Sequence, residues 1–364
     1  MAGGKPQVHQ RPRSLEARLL IILSAMKVAV FSTKPYDRRF LDAANAEAGH
    51  ELIFIEERLN SRTAGFAAGA EAACIFVNDE ADAGTLEILH RSGTRMLALR
   101  SAGFNHVDLK AATKLGMSVR RVPSYSPYAV AEFTLALIFM LNRKTHRAYN
   151  RVREGNFALE GLLGFDLHGR TVGVVGTGKI GLLTAKPLGA MGCKLLGYDP
   201  YPRAEFEQLG GNYVDLPTLL AQGDIVSLHL PLTPESHHMI NRETLKGMKD
   251  GVMLINTSRG GLIDAAAVVD ALKSGKVGYL GLDVYEQEAD VFYEDLSGAI
   301  IQDDVLQRLL TFPNVVITSH QAFFTETALH NIAETTIGNL SDFQHGRTSG
   351  TEVSAEQAYG SPGK

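Results

Sequence analysis

Short apolar runs alternate with longer amphipathic stretches along most of the chain. Lys27–Ser32, Glu51–Ile55, Ala72–Val77, Met96–Arg100 and Ser118–Val122 read as five strands with helical patterns between them. A second series follows: Thr171–Gly176, Lys194–Asp199, Asp224–Leu230, Val252–Thr257, Leu280–Val284 and Val315–Ser319. Strands that alternate with helices argue for parallel sheets covered on both faces. The pattern therefore predicts an α/β chain of two doubly wound parallel-sheet domains, the second with six strands. Between the two series, Ser126 can cap a helix and Pro127 suits its first turn. The helical pattern then holds to about Arg153, which predicts a helix of about 40 Å, long enough to bridge two domains. A last helix is expected over residues 325–343.

The first strand of the second series runs into Gly176-Thr177-Gly178-Lys179-Ile180-Gly181, and Asp199 closes the next strand 18 residues after the last glycine. Each part has a physical role in holding a dinucleotide. The first glycine permits a tight turn, the second lets backbone approach a pyrophosphate, and the third lets the helix pack closely on the strand. The helix N-terminus attracts the phosphate charge, and the acid accepts from a ribose 2′-hydroxyl. A carboxylate there repels a 2′-phosphate, so NAD is expected; Arg203 keeps some NADPH use open. Pro187 breaks the helical rule inside the same helix, which should kink there or end early.

Composition narrows the choice of partners. The chain has 364 residues, 45% apolar and 21% charged, with net charge −4. No basic stripe marks a nucleic-acid or anionic-membrane surface. The longest apolar run, Phe133 to Leu141, is far short of the ~20 residues that span a bilayer. Cys74 and Cys193 have no metal or redox spacing and read as buried thiols, so no metal is expected and a reducing, cytoplasmic setting is the simplest reading. Residues 1–25 are basic with a short apolar run; a disordered extension is favoured over a targeting segment. The Gly-, Ser- and Thr-rich residues 346–364 read as a disordered tail.

Three polar residues stand at or just past strand ends in the second series: Arg259, Glu288 and His320. Open α/β sheets bind ligands outside those ends. A nicotinamide enzyme reducing a carbonyl needs a proton donor, which suits histidine, with a carboxylate to fix its orientation. A 2-oxo acid needs its carboxylate held, and arginine offers a planar fork. Each has a bland alternative as well: a structural histidine, a surface arginine, and a solvated acidic loop containing Glu286, Asp290, Glu294 and Asp295.

Four stretches together resemble the D-isomer-specific 2-hydroxyacid dehydrogenases, over about Met26 to Phe343. They are the glycine run, Asn256-Thr257-Ser258-Arg259-Gly260, Gly281 to Glu288, and Ser319-His320-Gln321-Ala322-Phe323. The resemblance implies a Rossmann NAD-binding domain over 125–322. It also implies a smaller flavodoxin-like substrate domain made of 26–124 and 323–345, with a cleft that closes on the substrate. It implies Arg259 as substrate clamp, Glu288 as partner of the histidine, and His320 as acid and base. Tyr125 and the backbone of Val77 and Asn78 are implied to meet the substrate carboxylate. Gly176, Gly178, Lys179, Ile180, Gly181, Asp199, Leu230, Pro231, Thr257, Ser258 and Asp283 are implied to meet NAD.

Glu288-Ala289 and the stretch 290–295 resemble the branch that reduces pyruvate to D-lactate. A reductase of bulkier 2-oxo acids such as phenylpyruvate is the nearer rival, with Tyr125, Phe323 and Phe324 as its wall. A non-enzymatic NADH-sensing regulator on the same fold is the more distant one. The partners expected are a small-molecule substrate and copies of the chain in a homodimer or larger homo-oligomer, with the helix after Ser126 at the interface.

Overall fold

The computed structural model describes residues 25–356; the expected N-terminal extension through residue 24 and the tail from residue 357 lie outside the described residues. The described chain forms two compact units. The first is built from residues up to Tyr125 and from Leu329 onward, and the second from Ser126–Ala328.

The first unit holds a parallel sheet of β1 (Lys27–Val30), β2 (Glu51–Phe54), β3 (Ala72–Ile75), β4 (Met96–Leu99) and β5 (Ser118–Arg120). Its spatial order β2-β1-β3-β4-β5 is the flavodoxin-like order. β3 and β4 are buried along their whole length, as a sheet covered on both faces requires. The helix Glu326–Gln344 supplies Ala333, Ile337 and Leu340 to a core shared with Met26, Val28 and Val30.

The segment after this helix corrects an expectation. Residues 351–353 do not trail off. Arg121 donates its backbone N–H to Thr351 O (3.0 Å), and Val353 donates to Val119 O (2.8 Å). Arg120, buried, ion-pairs with Glu352 at 3.3 Å and donates to Arg347 O at 2.7 Å. A small-residue composition hides this pairing, because its stability comes from β5 rather than from its own side chains.

The second unit holds β6 (Thr171–Val175), β7 (Lys194–Tyr198), β8 (Asn212–Tyr213), β9 (Ile225–Leu228), β10 (Val252–Asn256), β11 (Val277–Leu282) and β12 (Val315–Ile317). All pair in parallel, in the order β12-β11-β10-β9-β6-β7-β8. This is the dinucleotide-fold order, with the switch point between β6 and β9. The sheet has seven strands where six were expected. The extra one, β8, is two residues long and follows Gly210-Gly211, too short and too glycine-rich to show alternation. Phe206 fills the space over Gly197 and Gly211, where a Cβ would come within 2.6 and 2.3 Å of its ring.

The single long helix after Ser126 is also corrected. It runs from Pro127 to Arg143, breaks at Lys144 (φ 50°, ψ 36°), and resumes from Thr145 to Arg153. The buried Asn142 explains where it ends. Its amide donates to Phe165 O (2.7 Å) and accepts from Phe165 N (2.8 Å), so the returning strand of chain is clamped onto the last turn. Pro187, by contrast, sits within a helix that continues from Lys179 to Ala190. Its missing N–H costs the helix one internal bond, to the Leu183 carbonyl, and the buried Ala185 and Leu188 keep that turn packed.

Removing the clamp strands two backbone groups. Asn142→Ala should lower stability by about 2 kcal/mol or more in urea unfolding. A shift below about 0.5 kcal/mol would show that the clamp does not hold the break.

Candidate active site

The carboxyl ends of β6 to β12 meet along one edge of the second unit, and the residues expected to carry chemistry lie along it. After β6 the chain turns at Gly176 (φ 95°), where a Cβ would stand 2.8 Å from the His229 carbonyl. A Cβ on Gly181 would stand 2.0 Å from Gly176 O, so only glycine lets the helix Lys179–Ala190 seat on the strand. Around Gly178 the opposite holds: no atom lies within 4 Å of an added Cβ. Gly178 is also the N-cap of that helix and brings no side chain to occupy its first N–H groups. Tight backbone at the first and third glycines, open space at the second and bare helix N–H groups together fit a pyrophosphate.

Asp199, at the end of β7, is already engaged. It accepts from Thr177 N (2.7 Å), Thr177 Oγ1 (3.2 Å) and Tyr201 N (2.8 Å). A carboxylate has about four acceptor positions, so one is left for a ribose hydroxyl. Thr177 Oγ1 also lies 2.6 Å from the Tyr213 hydroxyl, and that hydroxyl accepts from Arg203 N at 2.8 Å. Thr177 and Tyr213 were not singled out in the sequence; Tyr213 enters only through β8.

Past β9, Leu230 O accepts from Ser258 Oγ (2.5 Å) and Pro231 O from Ser236 Oγ (2.8 Å). Thr257 Oγ1 lies 2.8 Å from Thr134 Oγ1. His229, at the same edge and also not anticipated, has Nε2 2.9 Å from Ser227 Oγ. Burial of the ring pulls its pKa down to about 4.

The loop after β10 carries Arg259. Asn256 folds it: its amide donates to Arg259 O (2.8 Å) and its Oδ1 accepts from Ser258 N (3.0 Å). Arg259 Nη1 donates to Ser258 O at 2.6 Å, and among the described residues its guanidinium has no carboxylate partner. Next, Gly260 presses against the loop after β11; a Cβ there would be 2.1 Å from the Tyr285 carbonyl carbon. The arginine loop and the glutamate loop are thus in backbone contact.

Glu288 and His320 are joined directly. His320 Nδ1 lies 2.8 Å from Glu288 Oε1, and Glu288 Oε2 accepts from Tyr285 N at 2.8 Å. His320 has φ 53°, a conformation an L-residue adopts at a cost of about 1–3 kcal/mol. Asp283 maintains it. Fully buried, its carboxylate accepts from Thr318 Oγ1 (2.5 Å), Gln321 N (2.9 Å) and Ala322 N (2.9 Å), while its carbonyl accepts from His320 N (2.7 Å). Asp283, expected to meet the cofactor, shows in its own bonds a positioning role toward His320.

On the first unit, the chain around Val77 and Asn78 folds around Asp79, which accepts from Ser32 Oγ (2.6 Å), Leu59 N (2.7 Å) and Phe76 N (2.6 Å). Asn78 O takes two bonds from Arg58, at 2.9 and 2.6 Å. Tyr125 O accepts from Asn331 Nδ2 at 2.6 Å.

A fold of this order, with a glycine cradle for pyrophosphate and an oriented histidine–carboxylate pair at one sheet edge, defines a nicotinamide-dependent dehydrogenase. The family model for the D-isomer specific 2-hydroxyacid dehydrogenase, NAD binding domain, matches residues 135–322. D-lactate dehydrogenase of Escherichia coli strain K12 is 52% identical over 328 residues, covering 90% of this chain and 100% of that protein. 2-Hydroxyacid dehydrogenase A of Aspergillus oryzae is 56% identical over 326 residues, covering 89% and 94%. The solved structure of the pyruvate reductase of Chlamydomonas reinhardtii superposes with a TM-score of 0.85 at 45% identity, covering 90% of this chain and 99% of that one. The chain belongs to the D-isomer specific 2-hydroxyacid dehydrogenase family, and its cofactor is NAD.

Two outcomes test the geometry. Gly178→Val should fold normally, since its Cβ meets nothing, yet weaken NADH binding roughly tenfold or more in a fluorescence titration; unchanged affinity would place the pyrophosphate elsewhere. For His229 the folded pKa lies below the ordinary value of 6.5, so the unfolded chain binds more protons between about 6.5 and 4. Stability should therefore drop by about 2 kcal/mol from that group between about pH 7 and about pH 5. His229→Gln should remove this part of the acid slope, and urea midpoints at the two pH values read it.

Proposed function

We propose that the chain reduces pyruvate to D-lactate, reversibly, with NADH. The observation that carries the reading is the Glu288–His320 pair, 2.8 Å apart, at the edge where the glycine cradle opens. The names of the relatives support the substrate: one reduces pyruvate and another is a D-lactate dehydrogenase.

When bound, NADH supplies a hydride, so reducing the carbonyl also requires a proton. His320 supplies it. Its Nδ1 donates to ionised Glu288, an acceptor only, which leaves Nε2 as the nitrogen that gives up or takes the transferable proton. Donating from Nε2 to the carbonyl oxygen yields the alcohol and leaves a neutral ring; lactate oxidation returns the proton to the same nitrogen. Arg259 binds the substrate carboxylate through its fork and polarises the adjacent carbonyl. Tyr125 and the backbone of Val77 and Asn78 are proposed carboxylate contacts carried by the first unit.

NADH oxidation over pyruvate, 2-oxobutyrate and phenylpyruvate, with chirality of the product, tests the reading. Pyruvate should give the highest kcat/KM and only D-lactate. A preference for phenylpyruvate would move the assignment to the bulkier-acid branch, and no turnover with tight NADH binding would favour a sensor. His320→Ala should cut kcat by about 10²–10⁴-fold. Near-normal turnover in that variant would remove His320 from the reaction.

A further inference from the structure

A cluster of side chains of metal-ligating type lies in the same unit and takes no part in the proposed reaction. His237 and His238 follow one another after the β9 loop, and Glu286 lies in the loop after β11. One ligand atom from each lies within 4.8 Å of the others. His238 Nε2 is 2.7 Å from Glu286 Oε1, and His237 Nε2 is 3.6 Å from the same oxygen. The two imidazoles stack face to face with centroids 3.9 Å apart, and one ring must turn out of the stack for both in-plane Nε2 lone pairs to meet on one ion. Two ligands about 2.0 Å from a tetrahedral ion are about 3.3 Å apart. The two observed spacings fall on either side of that value.

The backbone holds these groups in place. His238 has φ 49°, in the left-handed region that a non-glycine residue rarely adopts. Its N–H donates to Gly261 O at 2.8 Å, and its carbonyl accepts from Asn241 Nδ2 at 2.9 Å. Gly260, beside Gly261, lies against the backbone at Tyr285 and Glu286, where an added Cβ would be 2.4 Å from Glu286 N. The Arg259 loop is therefore braced on one side by His238 and on the other by Glu286. That bracing holds the backbone that carries His238 and Glu286 in place before anything binds.

We propose that His237, His238 and Glu286 form a binding site for one divalent ion of the zinc class, with water completing the tetrahedron. Two imidazoles and a carboxylate suit Zn2+ and its borderline-soft neighbours; Mg2+ prefers an all-oxygen shell. A ligating Nε2 carries no proton, so a bound ion replaces the hydrogen bond between His238 and Glu286. His237 is about half exposed, so an ion can enter from solvent. Occupied, the site ties the loop that presents Glu288 to the segment after β9, at a position two residues upstream of Glu288. The site is independent of the substrate assignment above.

Equilibrium dialysis of the chelator-stripped full chain against Zn2+ tests the site, with Co2+ as a spectroscopic probe. One Zn2+ per chain should bind, and Co2+ should show the visible d–d bands of a tetrahedral site. Mg2+ should not compete. His237→Ala and Glu286→Gln should each weaken binding roughly tenfold or more. Because His237 is a surface side chain, the circular dichroism melt of metal-free His237→Ala should match that of the parent. His320→Ala and His330→Ala should bind as the parent does; the second removes the exposed His330–Glu334 pair, 3.1 Å apart. No bound Zn2+, binding indifferent to His237→Ala and Glu286→Gln, or binding lost in His320→Ala would overturn the proposal.

Discussion

The Asp283 carboxylate organises the reactive edge of the second unit. It is a buried anion, and such a group is tolerated only when its lone pairs are filled. Thr318 Oγ1, Gln321 N and Ala322 N fill them, and each belongs to the segment that ends β12. Satisfying the anion therefore fixes the turn at His320, and the turn sets the ring against Glu288. The strain of a left-handed histidine is offset by bonds a few atoms away. Removing the carboxylate would leave three donors unpaired and loosen the turn that carries the ring.

The parallel sheet supplies the rest of the arrangement. Each strand leaves at the same edge, so Gly176, Asp199, His229, Arg259, Asp283 and His320 are neighbours in the fold while spread across about 145 residues of sequence. Glycines set how closely the loops approach one another. Gly176 admits the His229 carbonyl and Gly260 admits the backbone of Tyr285. A methyl group at either place would push apart loops that carry binding groups.

Much of this was legible in the sequence, and the exceptions have physical causes. Ten of the strands begin within a residue of where the apolar runs predict, because burial on both faces makes such runs continuous; β11 starts at Val277, ahead of the expected Leu280, since Gly278 and Tyr279 interrupt its run. Strand ends were read one or two residues too long, since the loops after them keep apolar or catalytic residues at the sheet edge. β8 was missed because it borrows its pairing from β7 and its packing from Phe206. The helix break at Lys144 has no glycine or proline to announce it; its cause, Asn142 gripping Phe165, lies 23 residues apart in sequence. Arg259, Glu288 and His320 could be singled out by type and strand-end placement. Asp283 as the brace of His320, and Thr177 and Tyr213 around Asp199, depend on hydrogen bonds that spacing alone does not show.

The first unit begins the chain and also finishes it. Its core needs Ala333, Ile337 and Leu340, and the edge of β5 that faces away from β4 is covered only when Thr351 and Val353 arrive. The second unit uses one continuous stretch, Ser126–Ala328. During synthesis the ribosome therefore releases every residue of the second unit before the first can close, although the first emerges earlier. The usual order, in which the N-terminal domain matures first, is reversed by this topology. The sheet that emerges first must wait with an open edge and an uncovered apolar face until the last residues of its unit leave the ribosome.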